Sequence, residues 1–412
     1  MKKVIVIAAG LGFEDLDRRH LLKMEGLEFK AGKSVFPALT CVAQASLRTG
    51  SMSREHGIVS NGFYFRDLKK TLFWEQSSSL VEGERVWKNF RASGKKVGMY
   101  FWQQSMGEDV DTIISPAPVH KHDGGMVMSN YTKPTGMSDI LSKVCGNFPL
   151  YRYWGPLASA KVGRKVIENF IAMTEAHEMD VSLIYLPTLD YEAQRFGPAS
   201  KAADKAILEF RHQLASLAAY CSRTGSSLTV IGDYAIGEVV HPPAFPNTLL
   251  RKRGFLNVRK IKGGAYLDLC SSRAFAMCDH EIAHVYVSDP SDIEKVMKIF
   301  VESGEYESVE LKRDQPWAHK RAGEILLCAK KGSWCSYPWW EDNDEAPDYA
   351  SHVDIHSKPG YDPCELFFGS IIPPSTSLDQ SRIKGTHGRE SLVAWASTER
   401  DFDYCDMAKI FQ

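Results

Sequence analysis

Two acidic side chains sit where strands should end. Val181-Ser182-Leu183-Ile184-Tyr185-Leu186 stops at Pro187, with Asp190 just beyond, and Leu228-Thr229-Val230-Ile231 stops at Gly232-Asp233. An aspartate at a strand end can ligate a divalent cation or orient a nucleophile. Its bland alternative is a loop residue capping the next helix. Thr40 follows Phe36-Pro37-Ala38-Leu39. A hydroxyl at a helix N-terminus lies among unpaired N–H groups at the positive end of the helix dipole. That place favours an alkoxide and a bound phosphate. Its bland alternative is an N-cap. Asn61 carries an amide that can donate to a phosphoryl oxygen. Asp354 and His356 alternate in one short segment and so share a face if it is extended. Asp279-His280 is a second acid-imidazole pair; it precedes an expected strand and reads as structural. Glu14 and Asp15 follow the first strand and could reach the same edge.

The elements that must carry these residues follow from hydrophobic patterning. Val4 to Ala9 is a continuous apolar run ending at Gly10, and the runs before Pro187 and Gly232 are mostly apolar. Such runs suit strands covered on both faces. Arg164–His177 and Ala202–Arg223 have apolar residues three and four apart, the spacing of amphipathic helices. The β-α-β order predicts a mostly parallel sheet, whose carboxyl edge is where ligands bind. Residues 73–154 and 242–330 read as additions to it. The second holds Ala283–Val287, Ser291–Ser303 and Glu324–Ala329, a strand-helix-strand that predicts a small α+β lobe. The tail from Ser333 reads as ordered loop.

Composition narrows the partners. The 50 basic and 51 acidic side chains nearly balance, which removes a global electrostatic case for nucleic acid polymers or anionic membranes. A phosphorylated small molecule would need a local site. No run of about 18 apolar residues exists, so no membrane span is expected. The nine cysteines form no C-x-x-C pair and read as mostly buried thiols in a reducing, cytoplasmic compartment. Lys2 and Lys3 before Val4 imitate a signal peptide, but the apolar run is too short.

Four stretches together resemble the type I phosphodiesterase/nucleotide pyrophosphatase family of the alkaline phosphatase superfamily. They are Phe36–Gly50 with Glu55–Gly62, Tyr185–Pro198, Val230–Gly237, and Lys384-Gly385-Thr386-His387-Gly388. Further likeness to a divergent bacterial branch lies in Gly62–Asp67, Phe73–Ser77 and Tyr153–Pro156. The resemblance implies an alkaline-phosphatase-like three-layer α/β sandwich in one domain, residues 1–412, with a smaller inserted lobe. It implies Thr40 as nucleophile through a phospho-threonyl intermediate, Asn61 on the phosphoryl oxygens, and a divalent metal, zinc by preference, held by Asp190, Asp233 and His387. Gln194, Tyr234, Asp354 and His356 are further candidates.

The same comparison shows departures. Ala9-Gly10 stands where the family has Asp-Gly, Gln194 where it has a ligand histidine, and Tyr234 where it has another. Zinc wants three or four N, S or O donors, so one ion or two remain open. Two functions therefore stand side by side: a metal-dependent phosphoric ester hydrolase, and a member that binds a phosphorylated metabolite or assists a biosynthetic pathway without hydrolysis. A related transferase or mutase is a third class, and Cys41 is a conceivable nucleophile. Trp74 and Trp102 could stack on a flat leaving group or pack beneath the lobe.

Overall fold

The computed structural model describes residues 2–122, 126–313, 315–355 and 357–399. Its main element is an eight-stranded sheet in the order Asn130–Lys133, Thr112–Pro116, Val97–Tyr100, Val181–Leu186, Lys2–Ala8, Ser226–Gly232, Leu392–Ser397, Lys30–Lys33. Neighbours from Thr112–Pro116 to Ser226–Gly232 run parallel, and the outer pairs are antiparallel. Every residue of Val181–Leu186 is buried, as a strand covered on both faces requires. Helices Val162–Ala176 and Lys201–Thr224 cover it through the spaced apolar residues that predict them, among them Val166, Phe170, Phe210, Leu214 and Leu217.

Register sets the site. Ala8 pairs with both Leu186 and Gly232, so three neighbouring strands end at one level. The chain past each end is thereby delivered to the same edge. Gly10 N–H reaches the Asp233 carboxylate at 3.3 Å, which ties the first and third ends together.

The stretch 73–154 supplies three of the eight sheet strands. Its strand Val97–Tyr100 is only four residues long, too short for periodicity to declare. The tail also returns to the sheet, as Leu392–Ser397. Within 242–330 lies a separate four-stranded antiparallel sheet, Ala274–Asp279, Ile282–Val287, Ile325–Ala329 and Tyr306–Leu311, with helix Ile293–Ser303 beside it. Among the described residues, no helix is long and apolar enough to cross a membrane. The eight described cysteines are all free.

Candidate functional site

Thr40 is the first residue of helix Thr40–Thr49, and the N-cap is Leu39, in extended conformation and without a side-chain capping bond. The hydroxyl is therefore not spent on capping. It lines the same cavity as the Tyr185 and Tyr234 phenols. Burial pushes both phenols well above their ordinary range, which keeps them protonated.

Tyr234 opens a hydrogen-bond network. Its hydroxyl donates to Asp190 Oδ1 at 3.0 Å, while Gln194 Nε2 donates to Asp190 Oδ2 at 2.8 Å. Asp190 and Gln194 share helix Asp190–Phe196, four residues apart and so on one face. Gln194 Oε1 in turn accepts from the Tyr361 hydroxyl at 2.7 Å. The two partners fix the amide orientation, since a phenol donates to oxygen and a carboxylate accepts from nitrogen. Burial raises the Asp190 carboxyl, and burial together with the Asp190 charge raises Asp233 further. Asp233 Oδ1 accepts from Gly10 N–H and Tyr234 N–H, but its Oδ2 is buried without a partner.

His387 is also here. It packs face to face with Tyr234 at 3.5 Å and 4°, and its Nδ1 donates to the Ala38 carbonyl at 2.8 Å. Burial lowers its pKa well below the usual value, so it is neutral. Thr40, Asp190, Gln194, Tyr234 and His387 thus line one cavity.

Asp279-His280, expected to be structural, belongs to this place. The two strands Ala274–Asp279 and Ile282–Val287 are joined by the tight turn His280-Glu281, with His280 at φ 58°. The turn drives the imidazole into the cavity wall, stacked on Tyr361 at 3.7 Å and beside His387 at 3.7 Å. His280 Nδ1 bonds to Asp279 Oδ1 at 2.7 Å, and its Nε2 is buried without a partner. The Glu281 N–H donates to the His387 carbonyl, which locks the turn to the late loop. Sequence reasoning missed His280, Tyr185 and Tyr361. The signal for His280 was the adjacent acid-imidazole pair and that for Tyr361 the Gly360-Tyr361-Asp362-Pro363 likeness to a family loop; Tyr185 gave none.

Asn61 serves differently from the expectation. Its Oδ1 accepts from the Cys41 N–H at 3.0 Å, and its Nδ2 donates to Asp279 Oδ1 at 3.1 Å. Asp279 also accepts from the Asn61 N–H and the Ser60 hydroxyl, both at 2.7 Å. Asn61 therefore fastens the helix start to the second sheet, and only its second amide hydrogen is available to a phosphoryl oxygen. Cys41 is fully buried and its thiol is pushed far up, which makes it a packing residue rather than a nucleophile. Asp354 lines the cavity, and its carboxylate accepts from Ser357 N–H. His356 lies outside the described residues. Asp15 pairs with Arg18 and Arg19, and Glu14 does not line the cavity. Trp74 lines the cavity, whereas Trp102 is buried against the Arg48 guanidinium.

The donors do not fit the binuclear metal centre that the resemblance implies. Both Asp190 oxygens are taken by neutral donors, and Asp233 Oδ1 accepts from two backbone N–H groups. Among the described residues, no group of three or more His, Cys, Asp or Glu could hold an ion. A phenol and an amide stand where the ligand imidazoles would, and they satisfy the acid by hydrogen bonding.

Known proteins bear on this arrangement. The chain superposes on phosphonoacetate hydrolase from Sinorhizobium meliloti 1021 in complex with phosphonoformate, with TM-score 0.65, 13% identity, and 100% and 95% of the two chains covered. It also matches murine ectonucleotide pyrophosphatase/phosphodiesterase 5, with TM-score 0.56, 16% identity, and 96% and 87% covered. An inactive Thr-to-Ala form of that murine protein has been solved with AMP. Venom phosphodiesterase from Naja atra is 22% identical over 193 residues, 45% of this chain, and the match spans only 19% of the venom protein. The model of the family "Type I phosphodiesterase / nucleotide pyrophosphatase" matches residues 4–362, and the chain belongs to that family.

Proposed function

We propose that the protein hydrolyses a phosphoric ester, with Thr40 as the nucleophile. One observation carries this: Thr40, at the start of a helix, lines one cavity with Tyr234, whose own hydroxyl donates to the buried Asp190. As the Thr40 oxygen bonds to phosphorus, its proton moves to the Tyr234 oxygen and the Tyr234 proton moves to Asp190. The bond from phosphorus to the leaving oxygen breaks. Asp190 suits the receiving role because burial already raises its proton affinity. Water then attacks the phospho-threonine and gives up one proton to solvent, the bond from phosphorus to the threonine oxygen breaks as that oxygen regains its proton through the same pair, and the phosphate monoester leaves. The Thr-to-Ala inactivity of the murine relative supports the role of Thr40. No step is routed through a metal ion, because the donors present do not fit one.

The departures from the family pattern favour a second reading, in which the cavity binds a phosphorylated metabolite without cleaving it. Bis(4-nitrophenyl) phosphate separates the two. Thr40→Ala is expected to lower turnover by about a thousandfold or more, with an unchanged melting temperature. Thr40→Ser should retain measurable turnover. Wild-type protein that binds the ester without releasing nitrophenol supports the second reading, and full activity in Thr40→Ala removes the nucleophile.

A further inference from the structure

A stack of rings forms part of the cavity wall. Tyr234 lies on His387 at 3.5 Å, His387 beside His280 at 3.7 Å, and His280 on Tyr361 at 3.7 Å. Two rings so close to His387 cannot share one of its faces, so Tyr234 and His280 lie on opposite sides of it. Hydrogen bonds close the ends of the stack, because the Tyr234 and Tyr361 hydroxyls are joined through Asp190 and Gln194. Each imidazole is anchored by Nδ1, His387 on the Ala38 carbonyl and His280 on Asp279 Oδ1. The anchors differ in kind. A carbonyl is neutral, whereas a carboxylate stabilises the cation that forms when an imidazole gains a proton.

Asp279 also accepts from the Ser60 hydroxyl, the Asn61 N–H and the Asn61 amide. Its oxygens are thus acceptors throughout, and the hydrogen of the bond to His280 belongs to Nδ1. Nε2 is then left as a lone pair. It is buried and has no partner among the described residues, in a side chain that lines the cavity and is 3% exposed. Leaving a buried acceptor unpaired is costly, and such a cost is kept where the atom has work to do. The hydrolase reading leaves one proton without a base. In its second step the Tyr234–Asp190 pair returns a proton to the threonine oxygen, so it does not also take one from the attacking water.

Resting on that reading, we propose that His280 is a catalytic residue, the general base for the water that attacks the phospho-threonine. Its Nε2 takes a proton from the water as the water oxygen bonds to phosphorus and the bond from phosphorus to the Thr40 oxygen breaks. Asp279 holds the ring in the required tautomer, and the imidazolium passes its proton to solvent once the monoester has left.

Bis(4-nitrophenyl) phosphate separates the two steps, since nitrophenol leaves in the first. His280→Asn suits the turn, because asparagine tolerates the φ of 58° that His280 adopts. This variant is expected to release about one nitrophenol per chain at the wild-type rate, and then to turn over about a hundredfold or more slower than wild type. The Thr40 peptide carrying 4-nitrophenyl phosphate should accumulate in mass spectra, and added imidazole should restore part of the turnover. His280→Gln keeps more of the volume between Tyr361 and His387, and should show the same split. Wild-type turnover in either variant, or a first release slowed as much as the turnover that follows it, overturns the assignment while leaving the hydrolase reading in place. Wild-type protein that releases no nitrophenol overturns the hydrolase reading itself, and the role of His280 with it.

Discussion

Asp190 is held by a phenol and an amide, two neutral donors that cost little to bury and cannot release it to a cation without breaking both bonds. Tyr234→Phe removes one donor and, on the proposed mechanism, the proton path from Thr40. Turnover is expected to fall by about a hundredfold or more, the scale of losing a general base. Stability should fall by about 1–3 kcal/mol, because an oxygen of a buried carboxylate loses its partner. Steady-state kinetics and urea denaturation check the two parts. The same bonding predicts that prolonged chelation with EDTA leaves turnover unchanged. Loss on chelation with recovery on adding zinc would mean that these bonds open to admit an ion. Asp190, Asp233 and Thr40 were legible in the sequence because each follows or precedes a recognisable element. The role of Tyr234 was not, since a tyrosine after a strand end has no preferred partner until the fold supplies Asp190 and His387.

At the level of elements, the His280-Glu281 turn joins the second sheet to the edge of the first. Asp279 accepts from Ser60, from both the backbone and the side chain of Asn61, and bonds to His280, all while fully buried. Asp279→Asn places an N–H donor among donors. The expected loss is about 2 kcal/mol of stability, with turnover falling too because Asn61 no longer holds the start of the Thr40 helix. Retained stability and retained turnover together would show that the turn does not position the site. Leu39, rather than Thr40, proves to be the N-cap for a related reason: Asn61 Oδ1 takes the Cys41 N–H, so the helix start is satisfied from outside.

At the level of the whole molecule, buried histidines link folding to pH, His56 and His284 among them. Burial, with the Arg48 charge, lowers His56 to about 3, and burial lowers His284 to about 4 despite its bond to the Val59 carbonyl. In the unfolded chain both titrate near about 6.5. Between those values the unfolded chain binds more protons, so their contribution to stability is complete above about 6.5 and is lost as pH falls towards 4 and 3. Urea midpoints from pH 7 to pH 4 should drop more steeply in wild type than in His284→Asn, which removes one such group. Equal slopes would mean that His284 is already protonated in the folded protein.

The sequence by itself determined the layered architecture and the order of the motifs, because continuous apolar runs and three-four spacing are local properties that follow from burial on both faces or on one. It also brought Asp190 and Asp233 to the carboxyl edge of the sheet, since each lies within a few residues of a strand end. Only the tertiary structure decided what those side chains do. Asn61 meets Asp279 across 218 positions of chain, and the Ala38 carbonyl meets His387 across 349. Partners so distant leave no local pattern, and it is the partners that set the expected metal ligand Asp190 in a hydrogen-bonded network with Tyr234 and Gln194.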